Sequence, residues 1–217
     1  MPLRLGVLAS GRGSTLQALI DAADFPAQVV LVLANRPSAR ALRRARAAGI
    51  PAVALPQQRY PSVRERDLAM AEHLRERCVD LVVLAGYDRV LAPEFLEAFP
   101  GRIVNVHPSL LPAFGGEYAV APQPQRAALE YGCKLAGCTV QFVLNDGGID
   151  TGPIINQGVV PIYDDDTVDT LVARLLPEEH RILLEALRWI AAGQVRLEGR
   201  RVHTGRLRPA DEPPLPD

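Results

Sequence analysis

Leu81-Val82-Val83-Leu84-Ala85 is apolar at every position. Such a run forms a strand only where both of its faces are covered, which is the position of an inner strand in a parallel sheet. The flanking sequence supplies the covers. Short apolar segments at Leu3–Ala9, Gln28–Ala34, Ala52–Leu55 and Ile103–His107 alternate with helically spaced segments at Leu16–Ala22, Ala39–Ala48, Val63–Arg77 and Pro93–Phe99. Strand and helix in strict alternation predict a parallel, doubly wound sheet with right-handed crossovers. Further on, Ala136–Leu144 and Ile154–Val160 are two strand-like runs joined by a sharp loop, which predicts an antiparallel end. The fold class is therefore α/β, a Rossmann-like doubly wound, mostly parallel sheet with an antiparallel end. Thr167–Ala192 reads as one long helix or a helix broken at Pro177, and Val195–His203 as a small hairpin. We expect a single domain over 1–205, with an N-terminal half to about 100 and a C-terminal half from about 101. A Pro-rich, acidic tail at 206–217 is expected to be disordered.

Charge narrows the possible partners. The formal net charge is −1, so no overall basic field favours nucleic acid. The arginines at Arg40–Arg46 read as one solvated helix face. No apolar run is long enough to span a membrane. Met1-Pro2-Leu3-Arg4 leads directly into a strand rather than a signal peptide. Cys78, Cys133 and Cys138 are odd in number and lack metal-ligand spacing. A reducing cytoplasm, no metal and no membrane are the expectations, with the protein a monomer or homodimer.

In a doubly wound sheet, ligands bind where the strands end at their C-termini. Two polar features fall there. The first is Ser10-Gly11-Arg12-Gly13-Ser14-Thr15, a glycine-rich turn between strand and helix. Gly11 and Gly13 permit a tight turn and close approach of an anion, and the free amides at Ser14 and Thr15 attract phosphate. Either side chain can cap the helix. No lysine follows, so it is not a P-loop, and it lacks the third glycine of a dinucleotide fingerprint. The second is Asn105-Val106-His107 before Pro108. Spacing of two puts the amide and the imidazole on one side of an extended chain. In isolation such a pair is more often structural; the shared edge with the glycine turn favours a site.

Ser10–Ala18, Asn105–Pro112 (N-V-H-P-S-L-L-P) and Ile149–Ile155 (I-D-T-G-P-I-I) together resemble the phosphoribosylglycinamide formyltransferases, folate-dependent enzymes of purine synthesis. The likeness runs from the first strand to the helix around Glu179 and implies the formyltransferase fold. It implies transfer of a formyl group from 10-formyltetrahydrofolate, as co-substrate, to the amine of 5'-phosphoribosylglycinamide. By this resemblance Asn105, His107 and Asp150 are catalytic: His107 donates to the developing oxyanion or to the departing folate nitrogen, Asn105 is a second donor, and Asp150 supports the charged imidazole. Gly11, Gly13, Ser14 and Thr15 match the phosphate turn, and Glu179 matches a ribose-binding acid. Arg64, Asp88, Arg89, Val90 and Leu91 match folate contacts, and Leu144, Asn145, Asp146, Gly147, Gly148 and Ile149 form the opposite wall. His73, His180 and His203 read as structural or exposed, and Asp164–Asp166 as a solvated turn before a helix capped by Asp166 or Thr167.

Three departures from the family pattern stand out. Gly115–Gln125 is longer than usual and has no histidine; its end faintly resembles methionyl-tRNA formyltransferase. Gln141 stands where the family usually has histidine. An apparent two-residue insertion within Leu144–Ile149 leaves Asp146 and Asp150 to compete as the acid, and Asp150 is preferred because it opens the matching Asp-Thr-Gly-Pro. The competing functions are formyl transfer to an amino sugar or to methionyl-tRNA, formyltetrahydrofolate hydrolysis, and a non-catalytic phosphate-binding α/β module.

Overall fold

The run at Leu81–Leu84 (β4) is the middle strand of a seven-stranded sheet. The computed structural model describes residues 1–116, 120–146 and 148–205. Gly147 and the tail at 206–217, both the subject of expectations above, lie outside the described residues. The elements run β1 (Leu3–Ala9), α1 (Ser14–Asp21), β2 (Ala27–Ala34), α2 (Arg40–Ala47), β3 (Ala52–Ala54), α3 (Val63–Glu76), β4, α4 (Pro93–Ala98), β5 (Ile103–His107) and α5 (Gln123–Tyr131). They continue with β6 (Leu135–Phe142), β7 (Ile154–Pro161), α6 (Val168–Ala191) and a hairpin of β8 (Arg196–Glu198) and β9 (Arg201–His203). The strand order is β3-β2-β1-β4-β5-β6-β7. The first five strands are mutually parallel, and β6 pairs antiparallel with both β5 and β7. That is the mostly parallel sheet with an antiparallel end expected from the sequence.

Alternation along each strand separates two cores. Leu81 and Val83 of β4 pack in one cluster with Leu16 and Leu19 of α1, Leu42 of α2 and Ile182 of α6. Val82 and Leu84 pack in the other with Met70 and Leu74 of α3 and Phe95 of α4. β5 obeys the same rule: Val104 and Val106 face the α6 side, while Ile103 faces the α3 side. Asn105 and His107 therefore point to the α3 side of the sheet.

Helix ends show where local signals were outweighed. Neither Ser14 nor Thr15 caps α1; the N-cap is Gly13 at φ 70, with no side-chain bond. A Cβ at Gly13 would stand 2.7 Å from the Ala41 Cα, so only glycine lets α2 close on the turn. Ser38, a residue type that favours helix starts, stands one position before the N-cap of α2, which is Ala39. At α6 Thr167 forms a reciprocal capping box with Thr170. Pro177 lies inside that helix without dividing it, so the long-helix alternative holds. Asp166 is not solvated: its side chain is 2% exposed and takes two bonds from Arg174, at 2.6 and 2.7 Å. No helix of the described residues is long and apolar enough to cross a membrane.

Candidate active site

The switch point of the sheet lies between β1 and β4, where the chain winds away in opposite directions. The Ser10 N–H donates to the Gly86 carbonyl at 3.1 Å, locking the turn after β1 to the loop after β4. The Ser10 hydroxyl accepts from the Asp88 N–H at 3.0 Å. Asp88 in turn accepts from the Asn35 amide at 2.8 Å and pairs with Arg36, both beyond the end of β2. Its carboxylate thus gathers three strand ends. Burial pushes the Asp88 carboxyl up, but the bonds from Ser10 and Asn35 and the charges of Arg36 and Arg89 outweigh it and hold it below the ordinary range.

The glycine turn presents the first-turn amides of α1, which have no intrahelical acceptor. Thr15 is buried and Ser14 half-buried. The Gly11 carbonyl accepts from the Ala41 N–H at 3.2 Å, so α2 braces the turn from behind. Arg44 of α2 adds a bond to the Arg12 carbonyl at 3.0 Å.

One strand further, His107 ends β5 and is 3% exposed. Its Nδ1 lies 3.3 Å from Asp150 Oδ2. Its Nε2 lies 3.4 Å from the Phe114 carbonyl, longer than a well-formed hydrogen bond. Asp150 is 43 residues away in sequence and reaches the imidazole because β6 and β7 fold back antiparallel beside β5. It sits at φ 56, in the left-handed region, in the loop between those strands. Oδ2 also accepts from the Gly116 N–H at 3.0 Å, and Oδ1 from Gln141 Nε2 at 3.0 Å. Burial pushes the Asp150 carboxyl up; hydrogen bonding to His107, the charge on that imidazole and the bonds from Gly116 and Gln141 overcome it and hold the carboxyl below its ordinary value. Asp146, the competing acid, is spent inside its own loop, accepting from Gly148 N–H at 3.3 Å and Thr151 Oγ1 at 3.1 Å.

The loop after β5 is pinned from beneath. Thr139 Oγ1 donates to the Ser109 carbonyl at 2.7 Å and accepts from the Leu111 N–H at 3.1 Å. Gln157 Nε2 donates to the Leu111 carbonyl at 3.0 Å and Gln125 Nε2 to the Pro108 carbonyl at 2.8 Å. On the sheet itself Asn105 stands opposite Gln141 and His107 opposite Thr139.

Glu179 is half-buried on α6. Burial pushes its carboxyl up to about 7, against the opposing pull of His107 and Arg12, which places it within electrostatic reach of both the imidazole and the glycine turn. The sign of the stability effect follows. Between about 4.5 and about 7 the folded state keeps this proton and the unfolded state does not, so stability falls as pH rises through that window. Glu179→Gln is expected to remove the fall, leaving the variant more stable than the parent above about pH 7 by on the order of 3 kcal/mol and equal to it near pH 4.5. Melting temperatures of both proteins from pH 4.5 to 8 check this; parallel curves would refute it.

On the α3 side, Val90 is 54% exposed and Ile149 40% exposed, while Leu91 is buried. The Asn145 amide donates to Glu97 at 3.2 Å, tying the second loop to α4, the helix that directly follows Asp88–Leu91. Val90 and Ile149 thus leave apolar surface exposed on the two loops, the kind of surface that a flat heterocycle packs on. Arg64 is an exposed residue of α3, bonded to Glu94 at 2.5 Å. Its neighbour Arg66 is buried and pairs with Asp67 at 2.7 Å, while Asp67 accepts from the Ala92 N–H at 2.7 Å and so anchors the end of the Arg89–Leu91 loop.

Sequence reasoning did not find two partners of Asp150, the Gly116 amide and the Gln141 amide as a donor, nor the Phe114 carbonyl beside His107 Nε2. Gln141 carried a signal, since it is a polar residue in an otherwise apolar strand end. The loop amide and carbonyl carried none, being backbone groups.

A family model described as formyl transferase matches residues 3–187. Phosphoribosylglycinamide formyltransferase of Mycobacterium tuberculosis is 44% identical over 207 residues, covering 94% of this chain and 93% of that protein. The trifunctional purine biosynthetic protein adenosine-3 of Drosophila melanogaster is 44% identical over 195 residues, or 88% of this chain; the match spans only 14% of the length of that protein. Among solved structures, glycinamide ribonucleotide transformylase 1 from Symbiobacterium toebii superposes with a TM-score of 0.87 at 49% identity, over 93% of each chain. Phosphoribosylglycinamide formyltransferase from Coxiella burnetii gives 0.86 at 34% identity, over 94% of this chain and 93% of its own.

Proposed function

The chain belongs to the formyl transferase family, and from that premise we propose that it moves the formyl group of 10-formyltetrahydrofolate to the amine of 5'-phosphoribosylglycinamide, a step of purine biosynthesis. The observation that carries the proposal is the buried His107–Asp150 contact at 3.3 Å, set at the strand edge that also presents the glycine turn.

The substrate phosphate would sit on the amides of Ser14 and Thr15 beyond Gly13, where the helix end attracts an anion. Its ribose would extend towards Glu179. The pterin of the folate would lie between Arg89–Leu91 and the loop from Leu144 to Ile149. The reacting carbon then falls near His107 and Asn105. The amine attacks the formyl carbon, a C–N bond forms, and the carbonyl oxygen takes negative charge. His107 and Asn105 donate to that oxygen, acting where charge develops. Asp150 would hold the imidazole in place and accept, through one water, the proton the amine loses. The C–N bond to the folate nitrogen breaks, that nitrogen receives a proton from His107, and tetrahydrofolate leaves. The weak 3.4 Å contact of Nε2 with Phe114 is the bond most readily exchanged for one to substrate.

Purified protein supplied with both compounds should release tetrahydrofolate and formylated acceptor. An acceptor panel including an amino sugar and methionyl-tRNA decides the substrate. Turnover with another acceptor exceeding that with phosphoribosylglycinamide would overturn the proposal, as would absence of any transfer while both compounds bind.

A further inference from the structure

We infer that Gln141 is a positioning residue for this transfer: it keeps the Asp150 carboxylate aimed at His107 with a donor that carries no charge. The inference rests on the formyl-transfer proposal above.

Gln141 lies on β6 directly opposite Asn105 and is 1% exposed, so it acts through a neighbour rather than on substrate. Its Nε2 donates to Asp150 Oδ1 at 3.0 Å. Oδ2 is thereby left to the imidazole at 3.3 Å and the Gly116 N–H at 3.0 Å. Donors from β5, from the loop after it and from β6 therefore fix the plane of one carboxylate. That carboxylate stands on a residue at φ 56, where the backbone gives a non-glycine residue little support.

The other end of the amide argues that this bond is what the side chain is for. Gln141 Oε1 is buried and has no hydrogen-bond partner among the described residues. It faces Gly152, where a Cβ would lie 3.6 Å away. An unpaired buried carbonyl is unfavourable, and a leucine of similar size would avoid it. The oxygen thus gives the side chain no bond, and what the amide contributes is the N–H directed at Asp150. A cationic donor here would compete with His107 for the same carboxylate, and a carboxylate would repel it; an amide donates at every pH. The charged groups facing this position are Asp150 and His107, with Glu179 on α6 within electrostatic reach of the imidazole.

The test is kcat and KM for wild type, Gln141→Leu and Gln141→Glu from pH 5 to 9, with melting temperatures for all three. Gln141→Leu should lose about tenfold to a hundredfold in kcat, with both KM values within about twofold of wild type. Gln141→Glu should approach wild type at the acid end, where its protonated carboxyl still donates. As it ionises beside Asp150 its kcat should fall, so that the wild-type to Gln141→Glu ratio climbs about tenfold with pH while the ratio for the leucine variant stays flat. A leucine variant within twofold of wild-type kcat, or a glutamate ratio that does not change with pH, overturns the inference. If the leucine variant does not fold, the glutamate profile decides alone. An inactive wild type would instead overturn the formyl-transfer proposal, so the two failures are distinct.

Discussion

His107→Asn is expected to abolish formyl transfer, lowering kcat by about 10³-fold while both ligands still bind. Asparagine keeps a neutral donor but cannot deliver a proton, so it separates acid chemistry from hydrogen bonding. The fold should tolerate it. The imidazole is buried at a strand end but, among the described residues, is bonded only to Asp150 and, weakly, to the Phe114 carbonyl, and Asp150 keeps the Gly116 and Gln141 donors when His107 is gone. Calorimetry with each ligand and a melting curve accompany the kinetics. Unfolding, or loss of phosphate-ligand binding with transfer per bound complex unchanged, would return His107 to a purely structural role.

Gly152→Ala is expected to be the most damaging change outside the reacting groups. A Cβ there would stand 1.7 Å from the Phe142 carbonyl oxygen and 2.9 Å from its carbon. Both are backbone atoms of β6, so no side chain can swing aside. The Phe142 N–H donates to the Pro153 carbonyl at 2.9 Å, the bond that closes the Asp150 loop onto the sheet, and this bond must break or stretch. We expect a loss of about 3 kcal/mol, or roughly 6–12 °C in melting temperature for a chain of this size. Displacement of Asp150 should add about a hundredfold loss of kcat in the protein that remains folded. A variant with unchanged melting temperature and full activity would show that the loop relaxes without moving Asp150.

Both predictions join residues whose types were plain in the chain to contacts that were not. The fold was legible because its signals are local. Leu81–Leu84 is apolar on both faces and lies mid-sheet; strand and helix alternate in the order the periodicity gives; Asn105 and His107 share a side because strands repeat every two residues. Caps were less legible. Ser14, Thr15 and Ser38 have the right chemistry for helix starts, yet Gly13 and Ala39 occupy those positions. At Gly13, the close approach of α2 decides the matter, and no window of sequence contains it. The choice between Asp146 and Asp150 was open on composition and favoured Asp150 only through the Asp-Thr-Gly-Pro motif. In the structure Asp146 turns back on Gly148 and Thr151, and Asp150 meets His107.

The sequence by itself determined the order and handedness of the α/β layers, the edge where polar residues gather, and the types of group gathered there. Only the tertiary structure decided which of them touch. It set Gln141 between Asp150 and Gly152, brought the Gly116 amide onto the same carboxylate, and buried Glu179 of α6 so that it titrates near neutrality despite the opposing pull of His107 and Arg12. The reason is the range of the interactions. Apolar periodicity and turn chemistry act over a few residues and can be read along the chain. The state of a buried carboxylate depends on donors, charges and excluded water from segments separated by tens of residues, and these meet only once the register of β5, β6 and β7 is fixed.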